Sequence, residues 1–202
     1  MRNKGTGLMF LGTVLILAAA ALTVYNLAGS RRAQESAARA VESLKTETAQ
    51  REPADERTSE TQPDYLLFPN MQMPVTVVDG QEYVGTLQLP VLELELPVIS
   101  EWSYEALKTA PCRYRGSAYG GGLILMAHNY ESHFGRLREL RPGDAVSFSD
   151  VSGNRFCYRV ADLEEIAGSD IEGMLAGQWD LTLFTCSYGG QNRVAVRCVS
   201  DS

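Results

Sequence analysis

Leu181-Thr-Leu-Phe-Thr-Cys186-Ser-Tyr-Gly-Gly-Gln-Asn192-Arg193-Val-Ala-Val-Arg197-Cys-Val199 decides how the chain is to be read. Two short runs of β-branched and apolar residues flank a loop holding Gly189 and Gly190, which predicts two strands joined by a hairpin. If Cys186 and Arg193 face each other across that hairpin, Arg197 lies opposite Thr182, about 13 Å further from the thiol. Upstream, Leu123-Ile-Leu-Met-Ala127-His128-Asn129 reads as a buried strand that ends in a histidine. A histidine and a cysteine at strand ends next to glycine-containing loops are presented at a barrel's rim.

The same texture extends from about Tyr65 to the end of the chain. Asp79-Gly80 is a hairpin signal. Leu92-Glu-Leu-Glu-Leu96 alternates with period two and reads as one half-buried strand. Ser103 caps a short helix up to Thr109, and Asp170 caps a helical turn through Leu175. Ala145–Ser149 and Arg155–Val160 flank a turn at Ser152-Gly-Asn. Seven or eight short strands with few helices predict an all-β barrel or sandwich over 65–202.

Ahead of it lie two other zones. Residues 8–28 form an apolar run long enough for a transmembrane helix, after a short basic N-terminus (1–7) expected in the cytoplasm. A cleaved signal peptide is the alternative, although this run is longer than a usual signal core. Residues 29–64 read as a linker. Its first half carries a thin stripe, Ala33, Ala37, Val41 and Leu44, too weakly apolar for a core element, and its second half reads as disordered. The net charge is −7, all of it arising beyond Asp64, which argues against a nucleic-acid partner. Four cysteines without C-x-x-C spacing and two histidines give no basis for a metal site, and no cofactor is expected. If the domain is exported and Cys186 stays free, at most one disulfide can form among the others. Cys112 and Cys198 are the expected pair.

Cys186, His128 and Arg193 together suit acyl transfer: a thiolate attacks a carbonyl, an imidazole carries the proton, and a permanent cation stabilises the oxyanion. Thr182-Leu-Phe-Thr-Cys186 with Arg193 seven residues on resembles the sortase signature T-L-x-T-C with its downstream arginine. Leu123 to Asn129 resembles the segment bearing that family's histidine. Tyr83-Val-Gly-Thr-Leu-Gln-Leu-Pro90, Leu96-Pro-Val98 and His133-Phe-Gly-Arg-Leu-Arg-Glu-Leu-Arg-Pro-Gly-Asp144 continue the likeness in the family's order over about 75–199. A seven-residue Cys-to-Arg spacing is short for the family, and Ala127 stands where glycine is frequent. His133 reads as structural.

The resemblance, of class B or D type, implies a closed eight-stranded β-barrel with short helices, preceded by one transmembrane helix. It implies a cysteine transpeptidase with Cys186 as nucleophile, His128 as acid and base, and Arg193 holding the oxyanion. Thr185 and Asn129 would contact substrate. Partners would be the sorting-signal peptide of a surface protein and an amine acceptor such as a cell-wall precursor or a pilin lysine. The chain would be single-pass in the cell membrane with 31–202 outside. Two rivals are a sortase-fold peptidase that mainly hydrolyses and a membrane-displayed, non-catalytic β-barrel module.

Overall fold

The computed structural model describes residues 4–51, 63–187 and 189–201. Its strands are β1 (Thr76–Val78), β2 (Gln81–Leu89), β3 (Leu94–Ile99), β4 (Cys112–Ser117), β5 (Gly121–Met126), β6 (Ala145–Asp150), β7 (Arg155–Ala167), β8 (Leu181–Cys186) and β9 (Asn192–Ser200). Neighbours run β2-β3-β4-β5-β8-β9-β7-β6, and β6 pairs back onto β2, so eight strands close a barrel and leave no free edge. The short β1 adds to β2 through the Asp79-Gly80 hairpin, where both residues have positive φ (50° and 78°), as a two-residue turn of this hand requires. Most pairings are antiparallel. The exceptions are β3 with β4 and β5 with β8.

Period-two alternation sorts the side chains. Leu123 and Leu125 of β5, Leu181 and Leu183 of β8, and Val194, Val196 and Cys198 of β9 point into the barrel with Leu87, Phe134 and Phe148. Ile124, Phe184 and Ala195 point outward, where Ile166 and Met174 cover them. Met174 belongs to helix α3 (Ile171–Leu175), capped by Asp170, whose carboxylate accepts from Gly173 N at 2.7 Å. Ser103 also caps as expected, accepting from Ala106 N at 3.0 Å, over a single tight turn at Ala106–Lys108. Leu92 to Leu96 is not one strand. Pro90 opens a tight turn, Glu93 takes φ 54°, and β3 begins only at Leu94.

The expected disulfide is absent: all four cysteines are free. Cys112 and Cys198 are both fully buried and belong to different apolar clusters. Burial pushes both thiols up to about 12.

Helix α1 (Lys4–Arg51) is one continuous helix. The weak stripe of the sequence is a core element after all: Ala37, Ala40, Val41 and Leu44 are 3–7% exposed. Ala40 and Leu44 pack with Tyr83, Ile99, Ala106, Leu107 and Val151, and Lys45 pairs with Glu95 at 2.6 Å. Small residues suffice here because they let a helix lie close against a sheet that supplies the large side chains. The side chain of Ala33 and the linker's second half, 52–62, lie outside the described residues; a short helix α2 (Asp64–Leu67) follows.

Further up α1, ten large apolar side chains from Met9 to Tyr25 are exposed. Among the described residues, however, no helix is long and apolar enough to cross a membrane. The unbroken stretch of described side chains in the apolar run reaches from Met9 to Tyr25, roughly 25 Å of helix against a hydrocarbon core of about 30 Å. The transmembrane helix expected over 8–28 is therefore not carried by the described residues.

Docking of α1 has a direct test. Leu44→Ala should lower unfolding stability by about 2–5 kcal/mol in urea titrations, the range for a buried leucine. A chain begun at Tyr65 should melt below one begun at Arg31, because Tyr83, Ile99 and Leu107 lose their cover. Equal midpoints would show that α1 contributes nothing.

Candidate active site

β5 and β8 run parallel in the register Leu123↔Leu181 to Met126↔Phe184. The pairing continues past the strand end: Ala127 N donates to Phe184 O at 3.2 Å, and the Thr185 hydroxyl donates to Ala127 O at 2.8 Å. The next residues in step are His128 and Cys186, on strands about 4.8 Å apart. On the other side, β8 and β9 pair with Cys186 opposite Arg193 and Thr182 opposite Arg197, as the hairpin reading predicts. Ser187 N donates to Asn192 O at 2.9 Å to close the hairpin, and Gly189 and Gly190 turn it at φ 90° and 74°. Three adjacent strands thus bring His128, Cys186 and Arg193 side by side, the cysteine in the middle. By alternation all three belong to the barrel's outer face, with Phe184, and not to its lumen. Cys186 and His128 are half-buried.

Surroundings distinguish the two arginines. Arg193 is half-buried, and only its Nη1 is engaged, donating to Gly190 O and Asn192 O at 3.1 Å each. Its remaining donors have no partner among the described residues. Arg197 is 1% exposed and saturated: it donates to Glu164 (2.6 Å), Met174 O (2.8 Å), Thr182 Oγ1 (3.1 Å) and Gly173 O (2.8 Å). It is a structural clamp between β9 and α3. The hairpin base has its own clamp: Glu165 accepts from Asn192 Nδ2 at 2.8 Å and pairs with Arg138 at 2.9 Å.

The other two sequence candidates sit close by. Thr185 is buried, and its hydroxyl is spent on the Ala127 carbonyl, so it ties β8 to β5. Asn129 is half-buried and, with Thr185, Cys186 and Ser187, lines a cavity of about 10 Å³, room for roughly one water. Its carbonyl is crowded by the chain as it folds back. A Cβ on Gly135 would come within 2.6 Å of Asn129 O and 2.8 Å of Tyr130 C, so this turn admits only glycine. Phe134 N donates to His128 O at 3.2 Å and closes it.

Sequence reasoning missed Tyr130, whose ring lies 5.0 Å from that of His128. Burial first, and Lys108 second, hold the His128 imidazole below its ordinary range. His133 is fully buried, 5.5 Å from the Tyr130 ring, with neither ring nitrogen partnered among the described residues. Burial, helped by His128, drives it down to about 4.

Two measurements follow from this geometry. Arg193→Ala should lower kcat/KM by about 10²-fold with little change in melting temperature, the scale of a lost oxyanion donor. Arg197→Ala should instead cost about 3–5 kcal/mol of stability, because it strands buried acceptors and Glu164. A larger kcat/KM loss for Arg197→Ala per folded molecule would reverse the assignment. For His133, the unfolded chain takes up a proton below about pH 6.5 while the folded one resists down to about 4. Stability should therefore fall as pH drops through that window, by on the order of 3 kcal/mol at its foot. His133→Phe should remove this part of the acid sensitivity; an unchanged pH–stability curve would show that His133 already titrates normally.

The chain has known counterparts. The family model "Sortase domain" matches residues 87–201. No curated protein matches it in sequence. Among solved structures, a Clostridium perfringens sortase D5 transpeptidase superposes with TM-score 0.60 at 12% identity, over 83% of this chain and 99% of that one. Listeria monocytogenes sortase A gives 0.55 at 18%, over 59% and 88%. Streptococcus agalactiae sortase C1 gives 0.53 at 22%, over 59% and 68%. At such identities these likenesses establish the fold. The family match spans more than half of the chain and includes β5, β8, β9 and His128, Cys186 and Arg193. The chain belongs to the sortase family.

Proposed function

We propose that the chain is a cysteine transpeptidase that joins a sorting-signal peptide to an amine. The observation carrying this reading is the register β5-β8-β9, which sets a thiol between an imidazole and a permanent cation. In the first step the Cys186 thiolate attacks the scissile carbonyl carbon. Arg193 stabilises the oxyanion, and the C–N bond breaks as His128, protonated, hands its proton to the departing amine. A thioester on Cys186 remains. In the second step an amine acceptor attacks that carbonyl, His128 takes the amine's proton, and the thiolate leaves, restoring the enzyme. Hydrolysis is the same sequence with water as acceptor.

Burial and Lys108 lower the His128 pKa, which makes the imidazolium a stronger acid toward the leaving amine and also reduces the share of His128 that is protonated. Thr185 serves by fixing the β5–β8 register, and Asn129 by bordering the thiol on the cavity side. We assign the exposed apolar stretch Met9–Tyr25, completed by flanking Leu8 and residues 26–28, to the lipid bilayer as a single anchor with 31–202 outside the cell. The ten exposed apolar side chains from Met9 to Tyr25 support this reading. The acceptor would then be a cell-wall precursor amine or a pilin lysine.

Incubation with a library of short peptides and triglycine, read by mass spectrometry, tests the reaction. Peptide–triglycine adducts are expected, together with a thioester on Cys186 when triglycine is withheld. Cys186→Ala should abolish both while leaving the fold intact, since the residue stands at a strand end on the outer face. Free acid as the sole product would assign the chain to hydrolysis. Peptide binding that survives Cys186 alkylation without any turnover would make it an interaction module.

A further inference from the structure

Among the described residues no hydrogen bond or ion pair engages the His128 imidazole, so neither ring nitrogen is held by a carboxylate or a carbonyl. What lies against it is the ring of Tyr130, with centroids 5.0 Å apart and planes inclined by 36°. At that spacing an aromatic ring attracts a neighbouring ring or a cation. Tyr130 is itself fixed twice over. Its carbonyl accepts from His133 N at 2.9 Å and from Gly135 N at 2.8 Å, and its ring packs on that of His133, 5.5 Å away at 48°. His133 is fully buried and makes no side-chain hydrogen bond among the described residues, so packing alone holds its ring. Phe134 N donates to His128 O at 3.2 Å and ties the start of the turn to its end. Three rings thus stand in a row across one tight turn: His128, Tyr130 and His133.

We propose that Tyr130 is a positioning residue, whose ring sets the orientation of the His128 imidazole and steadies its protonated form, with His133 as the backstop. This deepens the reaction proposed above and rests on it. Support through a ring contact suits both steps assigned to His128, because it occupies neither nitrogen. Both stay free to give a proton to the leaving amine and to take one from the acceptor. The charged groups around the imidazole do not supply this support. Lys108, from the turn Ala106–Lys108, disfavours the imidazolium, and its carboxylate partner Glu105 is already paired with it at 2.7 Å. Arg193 on β9 is a second cation, and Cys186 on β8 attracts the imidazolium only as a thiolate. On the histidine turn itself, Glu131 acts on Arg136, and burial keeps His133 neutral. The Tyr130 ring is the group left to favour the charged form.

The chain has two histidines, so imidazole NMR of the full chain in detergent micelles gives two titration curves, told apart with His133→Phe. Tyr130→Leu and Tyr130→Met each keep an apolar side chain over His128 and remove the aromatic ring; either serves if the other does not fold. Tyr130→Phe keeps the ring and removes the hydroxyl. The His128 midpoint should move to lower pH in the Leu and Met variants and return close to its wild-type position in Tyr130→Phe. In the peptide–triglycine reaction the Leu and Met variants should lose about tenfold in kcat, with KM for the peptide within about twofold, and Tyr130→Phe should recover most of the loss.

An unmoved His128 midpoint without the ring would overturn the proposal. So would a loss confined to KM, which would make Tyr130 a substrate contact, or an equal loss in Tyr130→Phe, which would assign the effect to the hydroxyl. Failure of the wild-type chain to join peptide to triglycine would overturn the reaction proposed above, and the titrations would still decide whether Tyr130 supports His128.

Discussion

The parallel pairing of β5 with β8 is the constraint on which the candidate site depends. Parallel strands keep both C-terminal ends on one side, so a histidine after one and a cysteine at the end of the other become neighbours despite the 58 positions between them. The Thr185–Ala127 hydrogen bond sits one residue below His128 and Cys186 and fixes the step between the strands. A slip by one residue would turn one of the two side chains into the barrel, because facing alternates with period two. The antiparallel β8–β9 hairpin then adds Arg193 on the third strand with no long connection.

The two arginines of β9 show how environment assigns roles to identical groups. They share a face four residues apart, but Arg197 is enclosed by α3 and Glu164 and saturated with acceptors. A guanidinium so occupied cannot turn to a transient charge. Arg193, at the open end of the hairpin, spends one nitrogen on its own loop and leaves the rest without a partner among the described residues. The Glu165–Asn192 and Glu165–Arg138 contacts hold the base of that hairpin. His133 and Gly135 do the equivalent for the histidine turn, the one as an enclosed neutral ring behind Tyr130, the other by having no Cβ where the chain passes within 3 Å of itself.

α1 shifts the boundary of the catalytic unit toward the N-terminus. Its buried stripe closes an apolar cluster made of Tyr83, Ile99, Ala106, Leu107 and Cys112, which would otherwise face solvent. That cluster also holds the turn Ala106–Lys108, and the Lys108 charge helps to lower the His128 pKa.

What the sequence determined by itself was local. The apolar and β-branched runs Leu123–Met126, Leu181–Cys186 and Arg193–Val199 set the strands; Asp79-Gly80 and the Gly189-Gly190 loop set hairpins; Ser103 and Asp170 set caps. The hairpin register that sets Arg193 opposite Cys186 and Arg197 opposite Thr182 was legible once the two runs were paired across the loop. Each of these rests on interactions between residues close in sequence, which a one-dimensional pattern records. Only the tertiary structure decided the rest. Nothing in Ala37, Ala40, Val41 and Leu44 announces a core face, because the large side chains that complete it come from β2, β3 and the Lys108 turn. Nothing near Cys112 or Cys198 tells that they are sealed in separate clusters, too far into the interior to meet. Arg197 looks like a surface cation until α3 folds over it, and Tyr130 looks like a loop residue until the turn brings its ring against His128. Burial and partnership are properties of surfaces that meet only after the chain has closed on itself, and so they are written in no single stretch of it.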